Sequence, residues 1–343
     1  MKIISIDTQI KYIKLKTPFI TSLRKVKEIE FVRVKIVCDN NLLAFGEAPA
    51  TKAITGEDID TILDSIESSK FFLLGLGIKE ALEVLHNLSI GSSAKASLDM
   101  AFVSLLAQKQ NKALYKFFGA KKSQKIYTDV TISLNEKEKM IFDAKEALKN
   151  NMWILKVKLG EDINHAIEVT RTLSTELKFA KLLIDANQAW DLKQSLFYIE
   201  SVKDLDIELI EQPVQAQNLE DLQKITSRSM INIMADESIF TLDDVKKVID
   251  SNSADMINIK LMKCGGITKA IEILEYARDN NIKCMLGSML EGPISINIAL
   301  HLSLAYLDVI KYIDLDSPLL YKEPSDELDF IYDGYEIKLD LIT

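Results

Sequence analysis

From about residue 121 onward the chain has a rhythm. Short apolar runs end in polar residues and alternate with stretches whose apolar positions recur at helical spacing. The runs are Ile126–Thr131, Trp153–Lys158, Leu182–Asp185, Ile207–Glu211, Ile231–Asp236, Met256–Lys260, Cys284–Gly287 and Ile310–Asp316. Polar markers at or near their ends, Thr131, Lys156, Asp185, Glu211, Asp236, Lys260, Ser288 and Asp316, fall 24 to 29 residues apart. Strands alternating with helices predict βαβ units and a parallel sheet. Eight units at so even a period predict a closed α/β barrel over residues 121–318. A doubly wound open sheet is the rival, weakened because no glycine-rich phosphate loop follows the first run.

The first 120 residues read differently. Lys2–Leu15 and Glu30–Asp39 alternate or run apolar with β-branched residues, which predicts antiparallel strands. Gly46-Glu47-Ala48-Pro49 reads as the end of this sheet, and Asp58–Ser69 and Ser93–Gln110 carry helical patterns. The segment 1–120 is thus expected to be an α+β domain. The strand-like tail, 319–343, is expected to return to it.

Composition narrows the partners. With 48% hydrophobic and 27% charged residues, the 343-residue chain is of the soluble globular class. Its 42 Lys and Arg against 51 Asp and Glu give a net charge of −9, which argues against nucleic acid or an anionic membrane surface as a partner. No apolar run approaches the ~20 residues of a membrane helix. The opening Met1-Lys2-Ile3-Ile4-Ser5-Ile6-Asp7 reads as a strand and not as a signal peptide, so a cytoplasmic location is expected. Homo-oligomerisation is left open. Three cysteines and three histidines have no paired or ligand-like spacing, so carboxylates and lysines must supply any catalysis.

In a β/α barrel, functional groups stand at the C-terminal strand ends. Three successive runs there end in single acids: Asp185, Glu211 and Asp236. Each alone also fits a helix cap. Together, on strands ~4.8 Å apart, they can converge on one hard divalent cation such as Mg²⁺, which prefers oxygen ligands. On the run before them, Lys156 and Lys158 are two residues apart and face the same way. Two ammonium groups in a dry site disfavour each other's charge, which yields a neutral lysine able to act as a base. Lys260, on the run after the acids, lies across the barrel from Lys158. A carboxylate substrate held between the two has a base on each face of its α-carbon, with the metal stabilising the enediolate.

The ordered set Lys156-x-Lys158, Asp185, Glu211, Asp236 and Lys260 resembles the muconate lactonizing branch of the enolase superfamily. The resemblance spans the chain and implies a modified TIM barrel, (β/α)7β, beneath an N-terminal α+β capping domain. It implies Lys158 and Lys260 as acid/base pair, Lys156 beside the substrate carboxylate, and one Mg²⁺.

Within that branch, Asp314-Leu315-Asp316 resembles the pair by which dipeptide epimerases receive a free α-ammonium. Ser288 and Met289 resemble the loop lining the substrate backbone, Thr131 a substrate-side threonine, and Asn187 belongs to the same set. In the cap, Thr17–Arg24 and Gly46–Thr51 look like the two specificity loops, with Thr51 in the second. Arg24 matches the arginine that receives a glutamate side chain. The reading is an epimerase of L-Ala-L-Glu-like dipeptides serving murein peptide metabolism. An o-succinylbenzoate synthase, an N-acylamino acid racemase or a muconate cycloisomerase stays open beside it, as does a barrel kept only for binding.

Overall fold

The computed structural model describes residues 1–120 and 125–339. The start of the expected barrel segment, 121–124, and the end of the tail, 340–343, lie outside the described residues. The N-terminal part is an antiparallel sheet of β1 (Ile3–Ile20), β2 (Lys25–Cys38) and β3 (Leu43–Pro49), in that order. Its buried face, with Ile6, Val32, Val34 and Ile36, packs on Ile62, Ile66, Leu85 and Phe102 of the helices that follow.

Gly46–Pro49 is part of β3 and not a loop, which corrects the reading of the second specificity segment. Small residues there reflect close packing. A Cβ on Gly46 would stand 1.8 Å from the Ser97 carbonyl oxygen, so only glycine lets this strand lie against the Ser92–Lys109 helix.

The remaining strands are β4 (Ile126–Tyr127), β5 (Val130–Ile132), β6 (Ile154–Lys158), β7 (Lys181–Asp185), β8 (Ile207–Glu211), β9 (Asn232–Ala235), β10 (Met256–Lys260), β11 (Lys283–Gly287), β12 (Ile310–Asp314), β13 (Phe330–Asp333) and β14 (Glu336–Leu339). β5 to β12 form one parallel sheet in sequence order, with helices between the strands. A parallel bridge from Thr128 to Ile313 and an Asp129 N–H to Ile313 carbonyl bond of 3.2 Å join its ends. The predicted barrel is therefore present, and the open doubly wound sheet is not. Among the described residues no helix is long and apolar enough to cross a membrane.

Strand alternation divides the barrel. Leu155, Val157, Ile184, Ile210, Ile233 and Ile259 join the large cluster beneath the helices. Leu183, Leu209, Met234, Met256, Met285 and Tyr312 fill the interior as one apolar layer. Two residues further along most of these strands, at Asp185, Glu211, Asp236, Asn258 and Asp314, the inward positions turn polar, which sets a charged floor on an apolar plug.

The tail divides in two. Tyr321 bridges to Leu15, and Arg33 of the cap pairs with Glu327 at 2.6 Å. β13 and β14, however, pair with β4 and not with the cap sheet, which corrects the expectation for that part of the tail. The physical reason is the exposed edge of β4, together with Phe330 and Ile337, which bury into the barrel cluster.

Glu47 fastens cap to barrel. It is fully buried and meets Arg33 Nη2 at 2.6 Å. It also accepts the N–H groups of Ile294 and Ser295, at 2.9 and 3.1 Å, where the Pro293–Ser303 helix begins. Glu47→Ala leaves buried donors unpaired and is expected to cost ~3–5 kcal/mol of stability. Chemical denaturation checks this, and a loss below ~1 kcal/mol would count against the clamp.

Candidate active site

The C-terminal strand ends open into a cleft of about 530 Å³ roofed by the cap. It is lined by Lys158, Lys260, Asp236, Glu237, Asn187, Thr131, Ser288, Met289, Asp314 and Asp316 from the barrel side. The cap contributes Phe19, Thr21, Leu23, Arg24 and Ile54. Lys156, Asp185 and Glu211 are 0% exposed and form the floor beneath. Thr51 does not line the cleft. Its carbonyl accepts the Ile54 and Thr55 N–H groups, and Ile54, a turn later, reaches in instead.

Register aligns the floor. Lys158 stands beside Asp185, and Asp185 beside Glu211, across β6, β7 and β8. Asp185 Oδ1 accepts the Asn187 N–H at 2.9 Å, and Glu211 Oε1 accepts Asn258 Nδ2 at 2.7 Å. Asp236 Oδ1 meets the buried Lys263 ammonium, which also bonds the carbonyls of Asp236 and Asn258, at 2.5 and 3.0 Å. In each acid one oxygen is thus fixed by the protein. The second faces an ammonium: Asp185 Oδ2 faces Lys158 at 2.5 Å, Glu211 Oε2 faces Lys156 at 2.8 Å, and Asp236 Oδ2 faces Lys260 at 2.7 Å. Three buried carboxylates on neighbouring strands, each with one oxygen fixed by the protein, are the oxygen-donor type that a hard divalent cation prefers.

Local backbone serves this geometry. Asn187, Gln188 and Gln212 take φ of +43°, +66° and +36°, left-handed values that turn the chain sharply after β7 and β8. A Cβ on Gly287 would meet Asn258 Oδ1 at 2.6 Å and Lys260 Cε at 3.1 Å, so this glycine makes room for both.

A second acidic group was not foreseen in full. Asp129, Asp314 and Asp316 are buried, and their carboxylate oxygens lie within 4.8 Å of one another, near enough to hold a metal ion. Lys156 reaches Asp314 at 2.7 Å, and the Thr131 N–H reaches Asp316 at 2.6 Å. Asp129 had a sequence signal: it stands two residues before Thr131 and so faces the same way. Lys263 had one as well, at one helical turn from Lys260.

Electrostatics corrects one expectation. Burial disfavours the Lys156 charge, but Asp314, Glu211 and Asp185 outweigh it and lift its pKa well above the usual lysine value. Lys260 is raised likewise, with Asp236 opposing burial. Lys156 meets three carboxylates, at 2.7, 2.8 and 3.4 Å, so mutual depression does not set its charge. Among the acids, burial pushes Glu211 up to about 7, reinforced by Asp185. In Asp185 burial is overcome by Lys158 and Lys156, and its carboxyl is held low.

The cap loop is pinned over this floor. Ser22 Oγ donates to the Asn187 carbonyl at 2.9 Å, and the Leu134 N–H donates to the Ile20 carbonyl at 3.0 Å. Thr21 Oγ1 accepts the N–H groups of Leu23 and Arg24, at 3.1 and 3.3 Å. Arg24 is half-buried and has no carboxylate partner among the described residues; burial alone pulls its guanidinium down to about 10. A half-buried cation with no carboxylate partner attracts an anion to the cleft it faces.

A barrel with an acid–lysine floor beneath a cap defines a class, and sequence comparison agrees with it. The chain belongs to the enolase C-terminal domain-like family, whose model matches residues 129–337. It is 58% identical to the L-amino acid-D/L-Glu epimerase of Sulfurimonas denitrificans, over 98% of this chain and 99% of that protein. The substrate-liganded L-Ala-D/L-Glu epimerase of Bacillus subtilis superposes with a TM-score of 0.95 at 37% identity, covering 99% and 96% of the two chains. The dipeptide epimerase of Enterococcus faecalis, complexed with Mg and L-Leu-L-Tyr, gives 0.92 at 32% identity, covering 99% and 97%.

Proposed function

We propose that this protein is an isomerase that epimerises L-Ala-L-Glu-like dipeptides at the α-carbon of the C-terminal residue. The observation that carries the reading is the ring of charges around one cleft. Lys158 and Lys260 stand on β6 and β10, four strands apart in an eight-stranded barrel and so on opposite sides. Asp314 and Asp316 offer acceptors for a free α-ammonium, and unpaired Arg24 offers a fork for a side-chain carboxylate.

Asp185, Glu211 and Asp236 would hold one Mg²⁺. Bound there, it would supply positive charge that stabilises the substrate carboxylate as the α-proton leaves. Lys158 takes the proton from one face and Lys260 returns one to the other, in a 1,1-proton transfer. Thr131, Ser288, Met289 and Asn187 line the substrate backbone. Murein peptide turnover in the cytoplasm is the setting that this substrate suggests.

Arg24→Ala tests the side-chain assignment. It is expected to lower kcat/KM for L-Ala-L-Glu by ~1.5–3 kcal/mol, while a dipeptide with an uncharged second residue is little affected. The quantity to measure is the ratio of the two substrates. An equal loss on both would mean that Arg24 holds the cap and does not read the substrate.

A further inference from the structure

Asp129 takes no part in the proposed reaction. It is 1% exposed, and neither carboxyl oxygen has a hydrogen-bond partner among the described residues. It sits where the barrel closes. Its own N–H donates to Ile313, and the hydroxyl of its neighbour Thr128 accepts the Leu315 N–H at 3.1 Å. Its carboxyl lies against Asp314 and Asp316.

The groups that could neutralise this cluster can be followed one by one. Lys156 meets Asp314 at 2.7 Å but is shared with Glu211 at 2.8 Å and Asp185 at 3.4 Å. Lys158 and Lys260 point to Asp185 and Asp236. From β13, Tyr332 gives its hydroxyl to the Leu315 carbonyl at 2.5 Å. Asp316 has the Thr131 N–H, and Asp129 has no donor among the described residues. Three buried carboxyls facing part of one ammonium cannot all be charged. The proton settles where no donor competes for the oxygens. The electrostatics agree: burial and then the Asp314 charge push Asp129 well above the usual carboxylate range, while Lys156 overcomes burial at Asp314 and holds it low.

We propose that Asp129 is a positioning residue of the ammonium subsite, a neutral acid that donates its proton to Asp314 and holds that carboxylate toward the substrate's α-ammonium. The proposal rests on the dipeptide reading of the site. It explains how three acids present two charges, which Lys156 and the incoming ammonium balance.

The test compares wild type, Asp129→Ala and Asp129→Asn on L-Ala-L-Glu and its N-acetyl analogue, with infrared difference spectra and Mg²⁺ calorimetry. Asp129→Ala is expected to raise KM for the free dipeptide roughly tenfold or more, the size of one lost hydrogen bond to a charged group, with kcat little changed. Its preference over the acetylated compound should fall in step. Asp129→Asn, which keeps shape and a donor, should rescue most of that loss. The wild-type minus Asp129→Asn spectrum at neutral pH should contain the carbonyl stretch of a protonated carboxylic acid, a readout independent of how Asp129→Ala folds. Absence of that band overturns the proposal, as does an Asn variant as impaired as the Ala variant. A loss of Mg²⁺ affinity in Asp129→Asn would overturn it by making the cluster a metal site. If wild type turns over both compounds equally, the dipeptide reading itself fails; this outcome is distinguishable because the protonated-acid band does not depend on it.

Discussion

Lys158→Ala and Lys260→Ala are each expected to abolish net epimerisation. A positioned general acid or base contributes ~10²–10⁴-fold, and each lysine must act in both directions of the reaction. The two stand on opposite sides of the cleft with separate partners, Asp185 and Asp236. Loss of one therefore leaves the other in place. Each variant should still exchange the α-proton of a single epimer with deuterium, Lys158 serving the L form. Polarimetry in H₂O and mass spectrometry in D₂O separate the two activities. If either variant epimerises at close to the wild-type rate, that lysine is not a base.

Glu211→Gln is expected to remove both metal binding and turnover. Glu211 is central among the three proposed ligands and is 0% exposed. The amide keeps the volume, and Asn258 can still reach its oxygen. The charge that faces Lys156 is lost. Changing an outer partner of a metal ligand costs ~10–100-fold in affinity, and removing a ligand's charge should cost more. Titration calorimetry with Mg²⁺ measures this directly, and exhaustive chelation of wild type should reproduce the inactivity. Wild-type affinity in Glu211→Gln would move the metal elsewhere, with Asp129, Asp314 and Asp316 as the next group to examine.

The barrel was legible because its signal is repeated eight times and each strand end carries a polar residue. Ile207–Glu211 and Met256–Lys260 have the predicted bounds. Elements whose reasons lie in other parts of the chain were not legible. That Gly46–Pro49 packs as a strand and not as a specificity loop is plain only once Ser97 is seen to exclude a side chain at Gly46. The tail's strands needed the edge of β4, which sequence pattern alone does not reveal. The alternation rule placed Lys156, Lys158, Asp314 and Asp316 on inward faces. Applied to Ile126–Thr131 read as one strand, the same rule also points to Asp129, although β4 and β5 are in fact separated by Thr128 and Asp129. Ionisation was the least legible property. Lys156 next to Lys158 suggests repulsion, and only the folded arrangement reveals the three carboxylates that meet Lys156.

The Ser22 hydroxyl that rests on the Asn187 and Ala186 carbonyls has an evolutionary meaning. The proposed proton chemistry stands on strand ends, whereas Phe19 at the end of β1 and Leu23 and Arg24 on the turn after it line the cleft from another part of the chain. Descendants can therefore exchange one without rebuilding the other. The exception is the anchorage itself, only two residues past Asp185 on one side and two before Arg24 on the other. A lineage that drifts toward new side chains is free to vary Leu23 and Arg24 but is constrained at Ser22, because a roof that shifts there would disturb the turn that follows Asp185.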